Sequence, residues 1–350
     1  MKKGWQTKPF EDCIESVKYT RKIQRKDFLD DGQFPIVSQE AEFTNGYWDD
    51  EADVFKVSTP VVIFGDHTQV LKYVDFDFVL GADGVKILPP RDFLRPKFFF
   101  YQLQAANFTS LGYARHYRLL KELEIKYPPL AEQQRIVGLL DEAFEGLATA
   151  KANAERNLQN ARALFEIHLQ SVFTQRGPGW VETTIGDQLT LQRGFDITKV
   201  QQNTGEVPVV SSGGIKSYHD KAMAKGPGVV IGRKGTLGKV FYTESDYWPH
   251  DTTLWVKDFK GNEPRFVYYL FAGLNVKKLD SGAANPALNR NQVHPIEVTW
   301  PQVAQQKALV ETLDALEEET QRLARLYERK HAALEALKKS LLHQAFTGAL

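Results

Sequence analysis

Cysteine is nearly absent from this chain. A single residue, Cys13, stands in 350, so no intrachain disulfide and no thiolate metal cluster can form, which fits a reducing, intracellular (cytoplasmic) setting. Apolar runs approaching the ~20 residues of a membrane helix are missing as well. The opening Lys2-Lys3-Gly4-Trp5-Gln6 turns polar too early for a signal peptide. Charge of one sign is also lacking: 44 Lys and Arg balance 44 Asp and Glu, for a formal net charge of +0. A nucleic-acid-binding surface, if the chain has one, must therefore be local. Gly and Pro are not enriched and the chain is 42% hydrophobic, so a packed core is expected rather than a disordered tract.

Catalytic signatures are missing too. There is no Asn-Pro-Pro-aromatic tetrapeptide of the kind that holds a flipped adenine, and Gly238-Lys239 continues into Val240 rather than the Ser or Thr of a Walker A loop. The glycines Gly226, Gly228 and Gly232 precede no helix pattern, as a phosphate cradle would require. Glu124-Ile125-Lys126 lacks a partnering Pro-Asp pair and reads as a surface charge alternation, and the eight histidines show no His-Glu-x-x-His spacing. No catalytic residue, metal ligand or cofactor is expected on this chain.

What the sequence does contain is a duplication. Phe173-Thr174 is answered by Phe346-Thr347 and Leu140-Asp141 by Leu313-Asp314, both at an offset of 173 residues. Pro129 and Gln133-Gln134-Arg135 are answered at 172 by Pro301 and Gln305-Gln306-Lys307, and Pro96-Lys97-Phe98 at 168 by Pro264-Arg265-Phe266. Phe34-Pro35-Ile36-Val37-Ser38 resembles Val207-Pro208-Val209-Val210-Ser211, and Trp5 and Trp180 stand near the start of each half. The drifting offset predicts a shared framework joined by loops of different length. Halves of about 175 residues are domain-sized rather than solenoid repeats.

Within each half, β-branched and aromatic runs such as Val61-Val62-Ile63-Phe64-Gly65 and Gly228-Val229-Val230-Ile231-Gly232 predict short strands. A Pro-free stretch rich in Ala, Leu, Glu, Lys and Arg follows, and predicts one long helix. The divisions are 1–129 and 176–302 for the β-rich heads, and 130–175 and 303–350 for the helices.

In the second helix Leu309, Leu313, Leu316, Thr320, Leu323, Tyr327, Lys330, Leu334, Leu337 and Leu341 alternate spacings of four and three, a heptad seam. The matching positions of the first are Ile136, Leu140, Ala143, Leu147, Ala150, Ala154, Asn157, Ala161, Leu164 and His168. Antiparallel pairing with opposed midpoints would set Ala143 against Leu334, Ala150 against Tyr327, Ala154 against Leu323 and Ala161 against Leu316, small against large. Asn157 would then meet Thr320 in a polar layer, and Lys330, opposite Leu147, would snorkel outward. Two amphipathic helices packing separately on their own domains remain the alternative. A helix of ~42 residues is about 60 Å long, a spacer.

The order, duplication and spacing of several phrases resemble the specificity subunit of type I restriction–modification enzymes. They include Tyr127-Pro128-Pro129-Leu130-Ala131-Glu132-Gln133-Gln134-Arg135-Ile136-Val137 with its looser counterpart from Trp300, and Phe64-Gly65-Asp66-His67-Thr68. Gly232-Arg233-Lys234-Gly235-Thr236-Leu237-Gly238, Gly112-Tyr113-Ala114-Arg115-His116 and Gln344-Ala345-Phe346-Thr347-Gly348 belong with them. The resemblance implies an α+β fold of two β-rich target-recognition domains in tandem, each followed by a long α-helix, the two helices pairing as an antiparallel coiled coil with pseudo-two-fold symmetry. It implies a non-catalytic, sequence-specific DNA-binding subunit that recognises a bipartite asymmetric site on double-stranded DNA. Its partners would be two methyltransferase subunits and restriction/translocase subunits, and S-adenosylmethionine, ATP and Mg would reside on those partners. A DNA-recognition subunit of a related type II-like enzyme and a non-DNA coiled-coil scaffold are the alternatives.

Base reading needs Arg, Lys, Asn, Gln, Ser and Thr on loops that reach base edges. In the second head the expected DNA-binding residues are Arg233, Lys234, Thr236 and Lys239, set among Gly232, Gly235 and Gly238. The loop of Ser211, Ser212, Lys216 and Tyr218 and the polar run with Asn285, Asn289, Arg290 and Asn291 complete that set. In the first head they are Ser38, Gln39, Thr44, Asn45, Tyr47, Asp66, His67, Thr68, Gln69, Lys72 and Tyr73, with a basic cluster of Arg115, His116 and Arg118. Asp66 aligned near Arg233 would reverse the charge offered to a base, so two unlike half-sites are expected.

Overall fold

The computed structural model describes residues 4–81, 84–106, 108, 112, 114–175, 177–274, 287–347 and 349–350. The chain divides into two compact units, 1–154 with 329–350 and 155–328. The divide cuts both long helices, so each unit owns one head, the start of the helix that follows it and the end of the other long helix.

Seven α-helices are described: α1 (Pro96–Ala105), α2 (Tyr117–Lys121), α3 (Leu130–Thr174), α4 (Ile185–Gln188), α5 (Pro264–Gly273), α6 (Arg290–Val293) and α7 (Val303–Thr347). α1 and α5 each begin on a proline, whose missing N–H costs nothing in a first turn. No helix among the described residues is long and apolar enough to cross a membrane.

In the first unit Gln6–Pro9 pairs antiparallel with Glu124–Tyr127, bringing the head's two ends together. Val61–Gly65 lies between Leu71–Val74 and Val85–Leu88, antiparallel to both. A second, mixed sheet joins Lys22–Ile23, Phe78–Gly81, Phe34–Val37 and Tyr47–Trp48, with Val54–Phe55 on Phe78–Gly81. The second unit repeats the scheme. Val181–Thr184 pairs with Glu297–Trp300. A four-stranded sheet runs Thr190–Arg193, Thr253–Asp258, Gly228–Gly232, Val240–Thr243, and a smaller sheet holds Gly214–His219, Val207–Ser211 and Trp248–Pro249. Gly228–Gly232 is buried along its whole length, as a central strand covered on both faces must be.

Each head grips its own long helix through a buried glutamine. Gln133 accepts from the Arg95 amide at 2.8 Å and donates to the carbonyls of Phe93 and Pro128. Gln306 accepts from the Glu263 amide at 2.9 Å and donates to Asn262 Oδ1 and the Pro301 carbonyl. Both are fully buried, and in each the amide at the start of α1 or α5 is satisfied from the first turn of α3 or α7. The counterpart of Pro301 is thus Pro128, not Pro129, and that of Gln306 is Gln133, so the offset is 173 throughout this phrase. About two turns on, Asp141 pairs with Lys97 and Tyr101, and Asp314 with Arg265 and Tyr269.

The long helices run antiparallel inside each unit. In the first, Leu342 and Ala345 join the core of Ile136, Val137 and Leu140, and Phe346 meets Phe98 edge-on at 5.1 Å. In the second, Leu169 is buried with Leu313, and Phe173 lies 5.7 Å from Phe266. The repeated Phe173 and Phe346 therefore close each unit with the tail of the other half's helix.

Along the seam Ile136, Leu140, Ala154, Ala161, Leu313 and Thr320 are buried, and Ala143, Leu147, Ala150, Asn157, Leu309, Leu316, Leu323, Tyr327, Leu334 and Leu341 are half-buried. Leu164 and Leu337 are corrected, being 49% and 47% exposed, and His168 is exposed as well, while Lys330 turns outward as expected. The neighbours Phe165 and Leu169 on α3 and Lys338 on α7 turn inward in place of Leu164, His168 and Leu337. An α-helix of 3.6 residues per turn drifts away from a strict 3.5 repeat, so a heptad followed too far leaves the interface. The register is also corrected. Lys338 stands over Phe144, Glu335 takes Lys151 at 2.6 Å, and Leu334 lies beside Leu147 and Ala148 rather than Ala143. This displaces α7 by about one helical turn from the register that size matching alone predicts. The helix tails anchored in the cores of the heads set the register instead. Thr320 gives its hydroxyl to the Leu316 carbonyl of its own helix, not to a layer with Asn157.

Candidate nucleic-acid interface

The basic loop of the second unit is held at several points. Gly232 donates to the Lys239 carbonyl and Gly238 donates back to Gly232, closing a tight hairpin. Gly235 and Gly238 sit at φ of 77° and 72°, where only glycine is unstrained. Any side chain at Gly232 would meet the Thr236 carbonyl at 2.0 Å. The Arg233 amide donates to the Thr252 carbonyl at 2.8 Å, and the Arg233 carbonyl accepts from the Leu288 amide at 3.0 Å.

Arg233 is thereby fixed at the edge of a cleft of about 670 Å³ lined by Gln192, Arg193, Phe195, Asp196, Asn289 and Arg290. Its guanidinium reaches the Asp251 carbonyl at 3.5 Å, while Arg193 pairs with the Asp251 carboxylate at 2.9 Å. Burial, and then the neighbouring Arg193 charge, hold Arg233 below the usual arginine range. Lys234, Thr236 and Lys239 are exposed outside it, the last with its ammonium 5.1 Å from the Phe241 ring. Ser212 is buried, whereas Lys216 and Tyr218 are exposed on the strand Gly214–His219. Asn289 caps α6, accepting from the Asn291 amide, and Arg290 and Asn291 are exposed beside it. Asp196, His250 and Asp251 bring potential ligand atoms within 4.8 Å of one another. Asp251 is already engaged by Arg193 and His250 Nδ1 by Thr252, so these donors serve the protein.

The first unit uses the equivalent positions differently. Its Asp66 carbonyl accepts from the His116 amide as Arg233 accepts from Leu288, which makes Asp66 the counterpart of Arg233. Asp66 is buried and its carboxylate accepts from the Tyr117 amide. It presents no reversed charge to a base, which corrects the expectation. His116, Ser38 and Lys72 are corrected likewise. His116 is buried against the Asp66 carbonyl, and Ser38 is bonded to Asn45. Lys72 donates to the Glu42 and Phe43 carbonyls and to Asn45, with its ammonium pushed below the usual lysine range by burial. Gln39 and Thr68 are tied together, and Gln39 also accepts from the His67 amide. Thr44, Tyr47 and Tyr73 are half-buried, Gln69 sits at a φ of 60°, and Arg115 and Arg118 are exposed. Tyr113, Asn285 and Gly348 lie outside the described residues.

The cleft-lining Arg193, Asp196 and Asp251 escaped sequence reading. Arg193 ends a strand and Asp251 sits in a turn, and neither lies in a run of Lys and Arg that would mark it. The only signal was the glycine after Arg193, whose Cβ would strike the His250 carbonyl at 2.1 Å.

The family model for the type I restriction modification DNA specificity domain matches residues 2–156 and 178–328. The specificity subunit of the type I restriction enzyme EcoR124I/EcoR124II of Escherichia coli is 29% identical over 150 residues, which are 39% of this chain and 37% of that protein. The match thus spans little more than a third of that relative. Among solved structures, a chain from work on complex assembly and conformational transition of the type I R-M system superposes with a TM-score of 0.80 at 17% identity, over 99% of both chains. The HsdS subunit from Thermoanaerobacter tengcongensis gives a TM-score of 0.60, also at 17% identity, over 99% of this chain and 98% of that one. At such identity the likeness concerns the fold.

Proposed function

The chain belongs to the family of the type I restriction modification DNA specificity domain, with two matched stretches in tandem, and from this premise we propose that it recognises a bipartite, asymmetric site on double-stranded DNA. The observation that carries the reading is the contrast between units. Their frameworks coincide to the hydrogen bond at Gln133 and Gln306, while the loops at Asp66 and Arg233 differ in charge and exposure. A surface meant to read one symmetric sequence would repeat its loops as it repeats its framework.

The chain itself does no chemistry in this reading. It directs methyltransferase subunits, which carry S-adenosylmethionine, and restriction/translocase subunits, which use ATP and Mg, to the site. The chain purified free of partners transfers no methyl group from labelled S-adenosylmethionine and cuts no DNA.

The test is binding of the full chain, with its methyltransferase partner, to a random duplex library at rising salt. One enriched pair of unlike half-sites at fixed spacing supports the reading. Enrichment of nothing, or of a single palindrome, overturns it. Affinity for the enriched duplex falls with salt, because phosphate contacts release counterions.

A further inference from the structure

We infer that Arg233 and Asp196 read a single G·C base pair in the half-site of the second unit, with Asp251, held by Arg193, as the residue that positions Arg233. The inference rests on the DNA-reading function proposed above and names the chemistry of one of its contacts.

Two guanidiniums share one residue as their partner here. Arg193 holds the Asp251 carboxylate, and Arg233 has the main-chain carbonyl of the same residue at 3.5 Å. That second contact sits at the outer limit of a hydrogen bond, so the Arg233 fork retains donors for an incoming acceptor. An arginine fork matches O6 and N7 of guanine in the major groove, and a carboxylate accepts from N4 of the paired cytosine. Both chemistries meet in this cleft, since Asp196 is exposed in its wall with a carboxylate oxygen within 4.8 Å of the Asp251 ligand atom.

A phosphate fits the cleft poorly. Asp196 and Asp251 place two carboxylates beside the arginines, and like charge repels the DNA backbone where it does not repel a neutral base edge. The lysines that suit phosphates, Lys234 and Lys239, lie exposed on the hairpin outside the cleft. Arg233 is also pinned through its amide and its carbonyl. Such rigidity serves discrimination among bases more than it serves general attraction.

The experiment compares the wild-type chain with Arg233→Lys, Arg233→Ala, Asp196→Ala and Asp251→Asn, each full-length and with the methyltransferase partner, in selection from the random duplex library. In the wild type, one position of the second half-site is fixed as G·C. Arg233→Lys keeps the charge but loses the fork, and the preference at that position falls by about 5- to 150-fold while every other position stays fixed. Asp196→Ala and Asp251→Asn weaken preference at the same position only. Unchanged melting temperatures exclude misfolding, and Arg233→Lys serves as the mild variant if Arg233→Ala does not fold. Uniform loss of affinity for all duplexes, with a shallower salt dependence, identifies a phosphate contact and overturns the inference. So does an unchanged selection, or a second half-site without a fixed G·C pair. A wild type that selects no bipartite site fails earlier, at the proposed function itself.

Discussion

The two units differ least where they are buried and most where they meet solvent. Gln133 and Gln306 both accept from the amide at the start of the short helix and donate to a proline carbonyl, and Tyr101–Asp141 is repeated as Tyr269–Asp314. Yet Asp66, bonded inward in the first unit, stands where Arg233 borders an open cleft in the second. A buried amide that satisfies an otherwise orphaned helix amide cannot drift without cost, whereas a loop position can change charge as long as its main-chain bonds survive. The carbonyls of Asp66 and Arg233 kept theirs. Framework and loop surface are therefore separable.

The largest test of that equivalence is the anchoring of the helix tails. Leu169→Ala and Leu342→Ala, each in one unit and each about 95% buried, are expected to cost about 2–5 kcal/mol. Leu164→Ala and Leu337→Ala, on the heptad but half-exposed, are expected to stay within about 0.5 kcal/mol. Urea unfolding of the four variants measures both, and a reversed order would restore the strict heptad seam.

Next in size is the glutamine clamp. Gln133→Leu and Gln306→Leu each leave a helix-start amide and a proline carbonyl without their partner, at a cost of about 2–3 kcal/mol. Similar losses from both variants in denaturant unfolding would support the equivalence of the units. A loss confined to one would break it.

A smaller, one-sided effect is expected with pH. His294 in the second unit accepts from the Leu191 amide at 3.1 Å. Burial, then the charges of Arg290 and Lys260, push it below its ordinary value of 6.5. The folded unit thus binds its proton less readily than the unfolded chain. This contribution to stability is complete above pH 6.5 and is lost as pH falls through the depressed folded value. Hydrogen exchange at the Leu191 amide should accelerate on acidification across that range, and His294→Gln should remove the pH dependence. At the same offset of 173 residues the first unit has Lys121, paired with Glu11 rather than bonded to a strand amide, and no such acid-dependent change is expected there.

The smallest effect expected is on thiol chemistry. Cys13 is buried, and burial pushes its thiol up to about 11. The native chain should resist alkylation at pH 8, and denaturant should restore labelling.

The duplication, the two long helices and their start at Leu130 and Val303 were legible in the sequence because they rest on local signals. Proline punctuation, helix propensity and a repeated phrase need no knowledge of the rest of the chain. The seam was legible only in part. Ile136, Leu140 and Leu313 follow from the period, but Leu169 and Phe173 do not, because the period drifts and because their partners are Tyr269 and Phe266, about a hundred residues away. Polarity and a loop-like setting made Ser38, Lys72, Asp66 and His116 resemble a reading surface, and pairing with one another or with backbone groups took them inside. A lysine whose ammonium meets two carbonyls and an asparagine cannot be told from a free one by sequence alone.

By itself, then, the sequence determined a tandem of β-rich heads and long helices, since burial of periodic apolar faces dictates those elements wherever they fall. Only tertiary structure decided the register of the helices within each unit, because that depends on aromatic side chains of the heads closing over the helix tails. It also decided which polar side chains face outward. Arg193 with Asp196, Arg233 and Asp251 come from three separate stretches of chain, and their proximity is a product of sheet pairing across some sixty residues. Their chemistry depends on distances of a few ångströms, over which a charge is either neutralised or left to act.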